Sequence, residues 1–390
     1  MRKVFISLFI SVAVAMIGVG IIAPILPLYA KTFAASGTSI GIVFAAFSLS
    51  RALLGPFLGR VSDRIGRKRM LIFGLAGYAA VSILYVAANS LWQLGLFRLL
   101  QGAASVMITP IAQAYIGDIT PSGKEGRYMN LFYSSMFLGM ALGPLLGGEL
   151  SKLWSYQMAF YVMGALSLVA LILITATLPA DDSKSKHHRK PATDIVPLRE
   201  VIKNDAVKAI CVYMASRGFW RQGFGTFYPL FAAATSGLGE GSVGIILSVY
   251  MLGGGLLQIP FGFLADRYPK FPQIIIGSTL APLLLLLVPF VHSVWGVALI
   301  MFGIGGLSAL SRASILVIRT ELGREYGMGT MTGLYGGAFA VGQMLGPVMC
   351  GVMVDLVGLR GVFPFGSAVG LLGTGFVISR FRRWKNTGSA

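Results

Sequence analysis

Five arginines stand inside long apolar stretches of this chain: Arg51, Arg98, Arg217, Arg221 and Arg312. A guanidinium among aliphatic neighbours costs several kcal/mol unless it faces water or finds a partner. The planar fork of donors suits an anion, above all a carboxylate or phosphate gripped through two nitrogens. Arg217 and Arg221 are four residues apart, so a helix places them on one face, one turn from each other. The 14 acidic residues avoid such places. Eleven fall in segments that group with the chain termini, and Glu149, Glu240 and Asp355 fall near the opposite ends of their apolar runs. No carboxylate of the chain stands at the depth of the arginines, so an anionic group from outside the chain is their natural partner.

The elements that carry these arginines are apolar runs of roughly 20 residues, the length that crosses a bilayer. The 390 residues are 55% hydrophobic and only 12% charged. Twelve helices are expected, six on each side of a polar stretch that runs from Ala180 through His187 and His188 to Pro191. The expected division is a first six-helix bundle over residues 1–179, a linker over 180–205 and a second bundle over 206–390. The fold class is therefore an all-α membrane protein of twelve transmembrane helices in two pseudo-symmetric six-helix bundles. The first apolar run is too long for a secretory signal and ends in Pro24-Ile25-Leu26-Pro27, so it reads as a retained helix.

Net charge is +18, and its distribution argues against nucleic acid. Of 32 Lys and Arg, 24 fall at the termini and in alternate loops, three (Lys31, Lys152, Arg360) in the other loops, and five within helices. That bias places both termini in the cytoplasm of a cell membrane. Cys211 and Cys350 have no second ligand at metal spacing, and no nucleophilic triad or complete Walker lysine motif is present, so no cofactor, metal or catalytic residue is expected.

A short charged hinge follows the second run: Gly59, Asp63, Arg64, Gly66, Arg67 and Lys68 in the pattern Gly-x-x-x-Asp-Arg-x-Gly-Arg-Lys. Its weaker echo, Gly262 with Asp266 and Arg267, comes 203 residues later. The same offset relates Asp118 to Glu321 and Gly143-Pro144 to Gly346-Pro347. Two parallel repeats of six helices imply a site between the halves near the midplane. The arginines break the repeat: their counterparts are Gly254, Met301, Val14, Gly18 and Thr109. An asymmetric solute calls for such a break.

The hinge resembles the signature of the major facilitator superfamily. Leu94-x-x-x-Arg98-x-x-Gln101-Gly102 looks like that family's helix-4 motif. Gly139-x-x-x-Gly143-Pro144-x-x-Gly147-Gly148 looks like its antiporter motif in helix 5. Gly18 with Pro24 and Pro27 is similar to the pattern of twelve-helix drug:proton antiporters, and Tyr115 to Thr120 to a loop of tetracycline-type exporters. The resemblance implies alternating access, with a cytoplasmic gate of Gly59, Asp63, Arg64, Gly66, Arg67, Lys68, Asp118, Asp266, Arg267 and Glu321. In that reading the hinge arginines pair with Asp118 and the pairs hold the cytoplasmic side closed. The glycines of helix 5 have a plainer reading as close-packing positions. Arg98 has a second reading in conformational change or proton coupling, and Arg312 as a side chain snorkelling to a helix end.

Three functions follow as expectations. The first is efflux of a small, partly apolar anionic or zwitterionic solute by a secondary transporter, with Arg51, Arg217, Arg221, Arg98 and Arg312 as binding residues. The second is a proton-coupled multidrug exporter of neutral or cationic compounds, although helix 1 lacks the acids that cationic-drug exporters carry. The third is a non-transporting sensor on the same scaffold. The partners are a small solute, protons or a counter-ion, and the lipid bilayer; a monomer is expected.

Overall fold

A computed structural model describes residues 2–120, 125–179, 197–235 and 237–386. Most of the expected linker, with His187 and His188, lies outside the described residues. Twelve long helices, one of them in two pieces, are present among the described residues. They are α1 (Arg2–Lys31), α2 (Gly37–Ile65), α3 (Arg67–Val86), α4 (Leu91–Ile119), α5 (Glu125–Leu153) and α6 (Tyr156–Thr177) in the first bundle. The second holds α7 (Asp205–Thr235), α8 (Glu240–Leu256 with Gln258–Arg267), α9 (Lys270–Leu285), α10 (Val294–Tyr326), α11 (Met328–Val357) and α12 (Val362–Asn386). A single helical turn, Leu198–Val201, leads into α7.

α8 is expected as one piece but consists of Glu240–Leu256 and Gln258–Arg267. Pro260 has no N–H to offer the carbonyl four residues before it, and the ladder breaks next to that carbonyl, at Leu257. Eleven spans among the described residues are long and apolar enough to cross a membrane on composition. α7 is the one of the twelve that is not, because Lys208, Arg217, Arg221 and Gln222 interrupt its apolar surface. The helix that falls short is thus one that carries candidate binding residues.

Three apolar cores show how the bundles sit. One core runs through both bundles at the end opposite the termini, joining Ile21, Phe44 and Phe160 to Phe224, Phe231, Val243 and Phe363. At the terminal end the bundles have separate cores. One is built on Leu8, Leu71, Ile108 and Phe132, the other on Ile210, Ile274, Ile318 and Val377.

The shared end is sewn by backbone. α2 lies on α11, and α5 on α8. A methyl group placed on Gly37 would sit 2.5 Å from the carbonyl oxygen of Gly351, and one on Gly41 would collide with the carbonyl of Pro347. The repeat makes the same joint twice: Gly244, 203 residues after Gly41, meets the carbonyl of Pro144, 203 residues before Pro347. Only residues without a side chain let helices approach this closely.

Candidate functional site

The hinge residues settle within the first bundle. Arg67, at the start of α3, holds Asp63 at the end of α2 (2.9 Å) and Asp118 at the end of α4 (2.7 Å), and donates to Ser62 Oγ at 3.0 Å. Lys68 donates to the carbonyls of Thr175 (2.9 Å) and Leu178 near the end of α6. The pairing of a hinge arginine with Asp118 is as expected. The closing role is not seen in this state: the pairs brace α2, α3 and α4 of one bundle, and none of them reaches the other bundle. Arg64, Asp266 and Arg267 are exposed and form no ion pair among the described residues.

The second bundle repeats the brace in a way sequence reasoning missed. Lys270 pairs with Glu321 at 3.0 Å. Lys270 stands 203 residues after Arg67, as Glu321 does after Asp118. The signal was available, but Lys for Arg at the loop exit hides it.

The glycines of α5 take the packing role. Gly139, Gly143 and Gly147 lie against the backbone of α1, at Ala13, Gly20 and Ile21. Gly148 and the carbonyl of Pro144 face the other way, onto α8 of the second bundle, while the Pro144 ring stays against Gly20 of α1.

The joint at the shared end carries a carboxylate latch. Asp355, near the end of α11, accepts from the backbone N–H of Gly37 (2.6 Å), the N–H of Thr38 (2.8 Å) and the hydroxyl of Thr38 (2.6 Å). The first N–H groups of α2 have no partner within their own helix. Ser36 Oγ takes the next one, from Ser39, so the first turn is capped by its own chain and by the opposite bundle together.

The arginines divide between the bundle interiors and the space between them. In the first bundle Arg98 is 6% exposed and donates to Gln101 Oε1 at 2.9 Å; Tyr85 donates to the same oxygen at 2.8 Å. The rings of Phe44 and Phe47 lie 4.8 and 4.6 Å from the Arg98 guanidinium carbon. Arg51 is only partly buried and stacks on the same Phe47 at 5.5 Å. One aromatic ring therefore supports two cations, and the electron-rich faces offset part of their burial.

In the second bundle Arg217 is 7% exposed and lies over Phe339 at 5.6 Å. Arg221 is partly exposed and turns an amino nitrogen toward the sulfur of Met251, 3.7 Å away on α8. Arg312 is also partly exposed, donates to Gln258 Oε1 at 2.8 Å and reaches the carbonyl of Gly254 at 3.5 Å. It lies 5.4 Å from the ring of Phe137, which belongs to α5 of the first bundle, so Arg312 stands at the boundary between the bundles.

Arg319 joins this group. Seven residues beyond Arg312 on the same face of α10, it stacks on Tyr335 at 5.2 Å. Counting it with the basic residues of the helix end concealed it; the seven-residue spacing is the signal that reveals it. None of the six arginines has a carboxylate within ion-pair distance among the described residues. Arg98 and Arg217 are the buried charges there, and no Asp or Glu is buried with them.

Two six-helix bundles joined at one end, parted at the other and lined with unpaired cations define a solute transporter rather than an enzyme. The chain belongs to the major facilitator superfamily, whose family model matches residues 8–239 and again 209–389. It is 27% identical over 371 residues to an MFS-type transporter of Methanocaldococcus jannaschii, covering 93% of this chain and 94% of that one. It is 26% identical over 357 residues to the quinolone resistance protein NorA of Staphylococcus aureus, covering 91% of each. A bacterial homologue of the human lysosomal transporter Spinster, solved inward-facing and unoccupied, shares the fold. Its TM-score is 0.84 at 16% identity, with 99% of this chain and 98% of that one covered.

Proposed function

We propose that this transporter is a secondary exporter of a small, partly apolar solute bearing an anionic or zwitterionic group, working by alternating access. The observation that carries the reading is the uncompensated charge at the boundary of the bundles. Arg221 and Arg312 are partly exposed, close to α8 and without a carboxylate partner among the described residues. Arg51 is the partly exposed cation of the first bundle, and in this reading it serves the same solute. Phe137 and Met251, which touch these arginines, supply apolar surface for the rest of the solute. Arg98 and Arg217, buried in their own bundles, do not contact the solute in this state.

The asymmetric distribution of Lys and Arg supports a cytoplasmic location for both termini and for the parted end. The present state is then inward-facing, and a cytoplasmic solute enters between α2 and α11 and between α5 and α8. An anion leaving an inside-negative cell gains ~2.3 kcal/mol per charge per 100 mV, so export of a free anion needs no buried proton carrier.

The second reading, a proton-coupled exporter of neutral or cationic drugs, is favoured by the similarity to the quinolone resistance protein. Proteoliposome transport separates the two. Uptake of an organic anion that follows an inside-positive potential, and falls at least tenfold in Arg221→Gln and Arg312→Gln, supports the first. Proton-driven transport of a cationic dye that survives both substitutions and the loss of Arg51 supports the second and ends the first.

A further inference from the structure

The most buried cation of the second bundle borders a space inside that bundle. Arg217 lines a small, partly open cavity between α7, α9, α10 and α12, together with Tyr213, Ser278, Ser308 and Thr374. Its volume of about 10 Å³ admits one water-sized particle. Two donors on its wall have nothing to donate to. The Nε of Arg217 is buried without a hydrogen-bond partner, and so is the hydroxyl of Ser308, a residue only 3% exposed.

The other hydroxyls are engaged with the protein. Ser278 donates to the carbonyl of Ile274 (2.6 Å), and Thr374 to those of Ser278 (2.8 Å) and Gly370 (3.0 Å). Tyr213 and Ser311 bond to each other at 2.6 Å. What the site lacks is therefore an acceptor. A guanidinium offers donors and nothing else, and its full charge in apolar surroundings favours an acceptor of opposite sign.

We propose that this cavity is a binding site for a monatomic anion, chloride under ordinary conditions, held between Arg217 and Ser308 inside the second bundle. A water molecule fits the volume but leaves the charge of Arg217 uncompensated. A carboxylate on an organic solute balances the charge but exceeds the space. The bound ion neutralises Arg217 and fastens four helices of the second bundle to one another, leaving Arg221 and Arg312 to the transported solute. The site stands apart from the export reading, since its donors and its walls all lie within one bundle.

The test is the melting temperature of the full-length protein in detergent, with chloride or bromide exchanged for gluconate at constant ionic strength. Gluconate is too large for the cavity. The halides are expected to raise Tm saturably by about 5 °C. Arg217→Gln is expected to abolish the halide dependence, and Ser308→Ala to weaken the halide midpoint about tenfold. Equal Tm in gluconate and halide, or an unchanged dependence in Arg217→Gln, overturns the proposal. If Arg217→Gln does not fold, an unchanged midpoint in Ser308→Ala overturns it equally. Crystals grown in bromide are expected to show an anomalous peak beside Arg217 and Ser308 Oγ, and its absence there contradicts the assignment.

Discussion

The two ends of this molecule use the same helices in opposite ways. At the end away from the termini, α2 meets α11 and α5 meets α8 through backbone, and one apolar core passes through both bundles. At the terminal end the same helices carry glycines with nothing near them: Gly55 and Gly59 on α2, Gly262 on α8, Gly333 and Gly337 on α11. A glycine in a helix interior costs up to ~1 kcal/mol relative to alanine, so a row of them facing open space is unfavourable in this state alone. The comparison teaches that the open end is built of the same material as the closed one. A joint that forms in the alternate state explains why both ends are kept small.

Bulk at the closed end breaks the comparison most severely. Gly41→Leu drives a side chain into the carbonyl of Pro347 and should abolish transport and widen the distance between spin labels placed across that joint. Gly337→Leu tests the other end. It should leave the present state folded, with Tm within ~2 °C of the parent, while trapping it, so that solute binds but transport falls more than tenfold. Normal turnover in Gly337→Leu removes the claim that the parted glycines pack in the alternate state.

The latch gives a smaller effect. Asp355→Asn keeps one acceptor oxygen but sets an amide donor against the N–H groups of α2. A loss of about 1–2 kcal/mol moves the balance between the two states roughly tenfold toward opening of that joint. Spin-label distances across α2 and α11 report the shift.

The smallest effect belongs to the braces. Arg67→Gln and Lys270→Gln each remove partly exposed pairs worth about 1 kcal/mol or less, a Tm decrease of ~2–4 °C that high salt shrinks. Removing the pairs should not by itself shift the balance of states, because each pair lies within one bundle.

Much of this architecture was legible in the sequence. The apolar runs and the 203-residue offset lead to twelve helices in two bundles, and the hinge motif leads to the ion pair of Arg67 with Asp118. The same offset turns out to organise contacts as well as motifs. Gly102 meets the carbonyl of Phe47 as Gly305 meets that of Tyr250, and Gly74 meets the Ala104 carbonyl as Gly277 meets that of Leu307. These joints were hidden because a glycine's neighbour lies on another helix and leaves no mark nearby in the chain. The arginines were legible as a set but not as individuals. Which face of α7 turns toward α8 decides that Arg221 reaches Met251 of α8 while Arg217, one turn away, lines a small cavity between α7, α9, α10 and α12. Asp355 read as peripheral because its partners are two backbone N–H groups and a hydroxyl, and no sequence pattern records a cap supplied from 318 residues away.

The central claim is that the space between the bundles selects for negative charge through Arg221 and Arg312. The most direct measurement is equilibrium binding to purified protein of one aromatic scaffold prepared with a carboxylate, a zwitterionic or an ammonium substituent, on the parent and on the Arg221→Gln/Arg312→Gln double variant. The account predicts that the carboxylate or zwitterionic form binds the parent at least tenfold more tightly than the ammonium form, and that the double variant loses the preference. Tighter binding of the ammonium form by the parent, or a preference for the anion that persists in the double variant, contradicts it.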